Sequence, residues 1–79
     1  MKLETAFGIV LKKYRQFSSL SQEELALRCD LDRTFISLLE RGHRRPTLNT
    51  IFTIAASLKV RPTELIQEVE DIINENNRD

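Results

Sequence analysis

Two short runs hold the hydrogen-bond donors best placed to recognise something. Arg33 and Thr34 open the stretch Arg33-Thr34-Phe35-Ile36-Ser37-Leu38-Leu39-Glu40, and His43-Arg44-Arg45 follows two residues later. A guanidinium offers a rigid fork of donors and no acceptor, while a hydroxyl can do either. Such groups suit pairing with phosphates or with acceptor-rich edges rather than bond breaking. Catalysis has little to build on. The chain has one histidine and one cysteine, His43 and Cys29, and no Gly-rich phosphate loop. A metal site needs several ligands at suitable spacing, and His43 has no such partners. The expectation is therefore no enzyme activity, no metal, no cofactor and no small-molecule ligand.

The elements that must position these donors are two short helices joined by a tight turn, at about 21–29 and 32–41. Ser21 is a favoured N-cap and Glu24 stands three residues on, which makes a capping box. Leu25, Ala26 and Cys29 then form one apolar face at helical spacing, with Ala26 small enough for a second helix to cross close by. Asp30 makes the turn, because Asp tolerates positive φ better than most side chains. Leu31 plugs the corner and Asp32 caps the next helix. In that helix Ile36 and Leu39 face inward, so Arg33, Thr34, Ser37 and Leu38 fall on other faces. Gly42 suits the position just past its end.

Three more helices complete the pattern. Over 2–17, Leu3, Phe7, Val10, Tyr14 and Phe17 recur at three and four, with Ala6, Ile9 and Leu11 widening the face. Lys12, Lys13 and Arg15 sit near its C-terminal end, where positive charge suits the helix dipole. Leu20 serves as a staple against the next helix. Arg45 cannot be helical before Pro46. Thr47 caps a helix over 47–58 whose core face is Leu48, Ile51, Ile54, Ala55 and Leu58, with Phe52 buried or at an interface. The last helix, 62–76, opens on Pro62, a favoured first position. Arg61 before it is a poor cap, so Glu64 lacks a capping-box partner. Leu65 and Ile66 complete the core. Val69, Ile72 and Ile73 extend the apolar stripe past what a small core can cover, and they are read as a homodimer interface; folding back onto the same subunit is the alternative. The segment from Asn74 onward lacks apolar residues and is expected to fray.

The chain has 79 residues, 41% of them hydrophobic and 30% charged, with two Gly and two Pro. That length allows one domain, and so few breakers leave room for little except helices. A single cysteine on an apolar face is read as a small buried thiol in a reducing compartment, the cytoplasm. There is no run long enough to cross a membrane and no signal peptide. Net charge is zero, but it is unevenly spread. Residues 1–45 hold nine Lys/Arg against six Asp/Glu; residues 46–79 hold three against six. The positive part contains both donor runs, and the acidic tail is expected to point away from a polyanion.

The small residue at Ala26, the turn residue four on, and the inward pair Ile36 and Leu39 resemble the helix-turn-helix of the Cro and lambda-repressor (XRE) family. Gln22, Leu25-Ala26, Glu40-Arg41-Gly42 and Pro46-Thr47-Leu48 extend the likeness over residues 6–66. The run Leu31-Asp32-Arg33-Thr34-Phe35-Ile36-Ser37 is similar to the controller proteins of restriction–modification systems. Asp30 departs from the glycine usual in the family, at some cost in stability. The resemblance implies an all-α, five-helix lambda-repressor-like domain that binds double-stranded DNA as a homodimer. It implies that Arg33, Thr34 and Leu38 read bases: Arg33 both acceptors of guanine, Thr34 either an edge or a thymine methyl, Leu38 only a methyl. Phe35 is implied to lie against the backbone or a base step. Gln22 and Ser37 are implied as backbone or shape contacts, as are the loop residues His43, Arg44 and Arg45, and Thr47 and Asn49 at a helix N-terminus. An ordinary solvated loop and simple capping explain the last two groups equally. Arg15 and Glu40 are implied to form a structural ion pair. Two further readings stay open: a DNA-binding antitoxin, and a protein-interaction module on the same fold.

Overall fold

The computed structural model describes residues 1–77. It contains α1 (Leu3–Phe17), α2 (Gln22–Cys29), α3 (Arg33–Glu40), α4 (Leu48–Leu58) and α5 (Pro62–Asn76). Among the described residues there is no strand. Helix α1 packs on α3 and α5, α2 on α3 and α4, and α4 on α5. One core results. Its most deeply covered side chains are Leu11, Leu25, Ile36, Leu39, Ile54 and Leu65.

The helix ends follow from local chemistry. The Ser21 hydroxyl accepts from the Glu24 N–H at 3.0 Å, and Glu24 accepts from the Ser21 N–H at 2.9 Å. Thr47 accepts from the Thr50 N–H at 3.1 Å. Asp32 stands at the N-cap of α3, but its side chain makes no capping bond. Glu64 accepts from the Arg61 N–H at 3.1 Å. It thus performs half of a capping box even though Arg61 has no acceptor to return.

Helices α1 to α4 all stop in the same way. A residue one or two positions past each adopts positive φ: Ser19 (57°), Asp30 (55°), Gly42 (75°) and Lys59 (58°). The amide of that residue and the one after it then fold back. Leu20 N–H reaches Arg15 O, Leu31 reaches Ala26, His43 reaches Leu38 and Val60 reaches Ala55. This is the Schellman arrangement. In three of the four cases it turns an apolar residue (Leu20, Leu31 or Val60) toward the core.

Several expectations fail at helix ends and edges. Leu3 and Phe17 are 62% and 90% exposed, because they stand at the two ends of α1 where nothing covers them. Leu48 on α4 is also exposed, and Phe52 is exposed rather than buried, which leaves the interface half of its expectation. On α5 the buried pair is Leu65 and Val69, four apart, which turns Ile66 outward. The last turns of α5 do not fray before Asn76: the Asn76 amide donates to Ile72 O, and the Asn77 N–H to Ile73 O. Ile72 and Ile73, packed against the core, hold that end down. Arg78 and Asp79, also expected to fray, lie outside the described residues.

Gly8 marks the closest crossing. A Cβ placed there would stand 2.5 Å from the Glu40 carbonyl oxygen and 2.6 Å from that of Leu39. Helix α1 therefore lies against the C-terminal backbone of α3, and only glycine permits that approach.

Candidate DNA-binding surface

Helix α3 is held from one side. Ile36 and Leu39 are fully buried. At about 100° per residue, the opposite arc consists of Arg33, Thr34, Ser37, Leu38 and Arg41. Arg33, Thr34 and Arg41 are exposed; Ser37 and Leu38 are half-buried. The three expected base readers thus lie on one side of the helix. Arg41 joins them on it. Carrying the same spacing one step past Leu38 would have found it in the sequence.

Phe35 falls outside this arc. It is half-buried, packed against the core, and borders a shallow hollow with Asp30, Leu31, Asp32 and Thr50. Its position on the flank toward α4 removes it from the outward row. A large apolar ring next to Ile36 gains more from the core than from water.

The C-terminal end of α3 is pinned by charge. Arg15 Nε donates to Glu40 Oε2 at 2.6 Å and Nη2 to Oε1 at 3.0 Å. Arg15 Nη1 also donates to Leu20 O at 2.8 Å. The two side chains are 11% and 3% exposed. Such a bidentate pair fixes geometry as well as charge. The Glu40 carboxylate raises the pKa of Arg15, and burial opposes it in part. Gln22 Nε2 adds a third bond, to Glu40 Oε1 at 3.1 Å. Helices α1 and α2 therefore both grip the same carboxylate. One amide hydrogen of Gln22 is committed there.

The loop after α3 is exposed at His43, Arg44 and Arg45. Arg44 Nη1 donates to His43 O at 2.9 Å. Arg45 Nε pairs with Glu4 Oε2 at 3.2 Å, a contact from the first turn of α1 that sequence reasoning missed. The backbone N–H bond at Glu4 and then Arg45 hold the Glu4 carboxyl below its usual range. The Thr47 hydroxyl is engaged with Thr50, so capping accounts for it; Asn49 beside it is exposed.

The residues assigned to a dimer interface divide. Val69 is 5% exposed and belongs to the subunit's own core. It also borders the groove on this side of α5. Ile72 and Ile73 are half-buried. The apolar surface still open on this side is a groove of about 640 Å³ whose lining includes Leu3, Phe7, Ile51, Ile66 and Ile73.

Cys29 is buried and its thiol lies 3.1 Å from the Ser57 hydroxyl. Burial raises its pKa, partly offset by that bond. Among the described residues no three His, Cys, Asp or Glu side chains gather in a way that could hold a metal ion. No described helix is long and apolar enough to cross a membrane.

Comparison with known proteins agrees with this geometry. The family profile described as Helix-turn-helix matches residues 11–65. Control protein C.BamHI of Bacillus amyloliquefaciens is 49% identical over 61 residues, covering 76% of this chain and 75% of that protein. Control protein C.MunI of a Mycoplasma species is 39% identical over 69 residues, covering 86% and 93%. The crystal structure of the restriction–modification controller protein C.AhdI from Aeromonas hydrophila superposes with a TM-score of 0.77. It is 39% identical, with 78% of this chain and 94% of that one covered. The chain belongs to the helix-turn-helix family of DNA-binding transcription regulators.

Proposed function

We propose that this protein is a sequence-specific regulator that binds an inverted-repeat operator as a homodimer, acting as a controller of a restriction–modification system. The observation that carries this reading is the outward arc of α3: Arg33, Thr34, Ser37, Leu38 and Arg41 stand together above the buried Ile36 and Leu39. The second helix of this motif enters the major groove with its N-terminal residues at the base edges. Arg33 and Thr34, the first two residues of α3, are the base readers on this account. Leu38 follows one turn on and can meet only a methyl group. Gln22 and the 43–45 loop contact the backbone, and so does Arg41 where α3 leaves the groove.

One such helix covers too few base pairs for a unique site. A two-fold pair would read half-sites about 34 Å apart, one turn of duplex. The groove bordered by Leu3, Ile66 and Ile73 supports association on the α5 side. The names of the relatives support the controller role. Selection of bound sequences from a random DNA pool tests the whole reading, with an inverted repeat as the expected outcome. Arg33→Ala should then relax preference at one base per half-site, by about 1–3 kcal/mol of discrimination. Equal weakening on selected and random DNA would assign Arg33 to the backbone instead.

A further inference from the structure

The first turn of α1 and the loop after α3 form one surface, although they are some forty positions apart in sequence. Three observations join them. Arg45 pairs with Glu4. Gly42 backs onto Thr5 so closely that an added Cβ would meet the Thr5 Cα at 3.0 Å. Lys2, Glu4, Gly42, His43, Arg44 and Arg45 border one concavity. Three of its side chains are permanently cationic, a fourth is an imidazole, and only Glu4 is acidic.

Only part of the charge in this hollow is used by the protein itself. Glu4 accepts from Arg45 Nε and from its own backbone N–H. Both terminal nitrogens of Arg45 remain open. Arg44 donates only to the neighbouring His43 carbonyl. Lys2 has no ion pair or hydrogen-bonded side-chain partner among the described residues, and it is exposed. A concave, multiply cationic site with one carboxylate to orient one guanidinium suits a phosphate diester.

We propose that this hollow binds a phosphate of the DNA backbone, with Lys2 as a direct contact and Glu4 as the positioning residue for Arg45. The inference rests on the reading above, that the loop after α3 lies against DNA, and it extends the footprint to α1. Lys2 lies outside the span matched by the family profile.

The test is the salt dependence of DNA binding by the full chain. Each phosphate contact contributes a slope of about −0.9 in log K against log salt. Lys2→Ala removes the contact from both subunits of the dimer, so it should reduce the magnitude of the slope by about 1.8 on operator and random duplex alike, and Lys2→Arg should restore it. Arg44→Ala serves as the reference for the loop itself. If Arg44→Ala lowers the slope and Lys2→Ala leaves it unchanged, the role of Lys2 is overturned while the loop reading stands. If neither changes a measurable wild-type slope, the loop does not meet the backbone and the inference falls with it. Thermal melts of the variants should match the wild type, since neither side chain is buried.

Discussion

Replacing Gly8 by alanine separates two opposed effects that sequence alone cannot rank. In an exposed helix interior the change gains about 1 kcal/mol, because glycine has more backbone freedom to lose on folding. Here the new methyl would stand 2.5 and 2.6 Å from two carbonyl oxygens, where ordinary contact begins at 3.4 Å. Both oxygens belong to the backbone of α3, so no side-chain rotation relieves the clash. Helices α1 and α3 must separate by most of an ångström. A gap of about 0.5–1 Å forfeits a quarter to a half of each dispersion contact across it, and Leu11, Ile36 and Leu39 lie in this part of the core. Overpacking of a tight core costs about 1–3 kcal/mol and sometimes more. A rigid backbone neighbour puts this case at the upper end, so the net loss is about 2–3 kcal/mol. For a domain of this size that lowers Tm by about 8–24 °C. Urea denaturation followed by circular dichroism measures it directly. An unchanged or higher midpoint would show that the α1–α3 crossing is looser than described, and the seating of α3 would need another explanation.

Arg15→Met should cost about 3–5 kcal/mol, because it leaves the Glu40 carboxylate buried without its partner. Arg15→Met with Glu40→Leu should cost much less, and a double-mutant cycle by denaturation checks the difference. Lys59→Gly should stabilise by about 0.5–1 kcal/mol, since Lys59 holds a left-handed conformation that costs a side chain but not glycine; thermal melting reads this. Tyr14 is the only tyrosine, and its hydroxyl is pushed up to about 12 by its bond to Glu68, by burial and by the charges of Glu68 and Glu64. Folding raises this pKa, so the stabilisation is complete below the unfolded value of about 10 and is lost as pH climbs through the folded one. Tyrosinate absorbance should therefore appear at higher pH in the native protein than in urea, and Tyr14→Phe should remove that part of the alkaline loss of stability. Glu68 moves the opposite way: Lys13 first, then Tyr14, holds its carboxyl low. Its contribution is present above the unfolded carboxyl pKa and lost as pH falls through the folded one, so Glu68→Gln should flatten the acid limb of a stability–pH curve.

The parts of the fold that could be read in advance are those decided within one turn of helix. Ser21 with Glu24, Thr47, and Pro62 each act on neighbouring amides, so their roles follow from residue type. The inward pair Ile36 and Leu39 follows from spacing. Other features depend on what lies across the gap. Periodicity assigns Leu3, Phe17 and Leu48 to apolar faces but says nothing of where the covering element ends. On α5 the apolar stripe holds both Leu65 and Ile66, and only the packing decides that Leu65 and Val69 are buried while Ile66 faces outward. Ser19 and Lys59 carry no preference for positive φ; they adopt it because Leu20 and Val60, next in line, gain by reaching the core. The bond from Gln22 to Glu40 and the contact of Glu4 with Arg45 join distant segments, and no local pattern reveals them. Gly8 offered one signal, a glycine inside an otherwise apolar helical run, which is tolerated mainly where another backbone comes close.

In α3, scaffold and message are written in interleaved letters of one eight-residue word. Ile36, Leu39 and Glu40 hold the helix to its neighbours, while Arg33 and Thr34 are exposed. If α3 reads DNA as proposed above, its target can change without renegotiating stability, because the outward and the anchoring residues are separate. Leu38 is the exception. Half in and half out, it ties recognition to packing, and it is the letter least free to change.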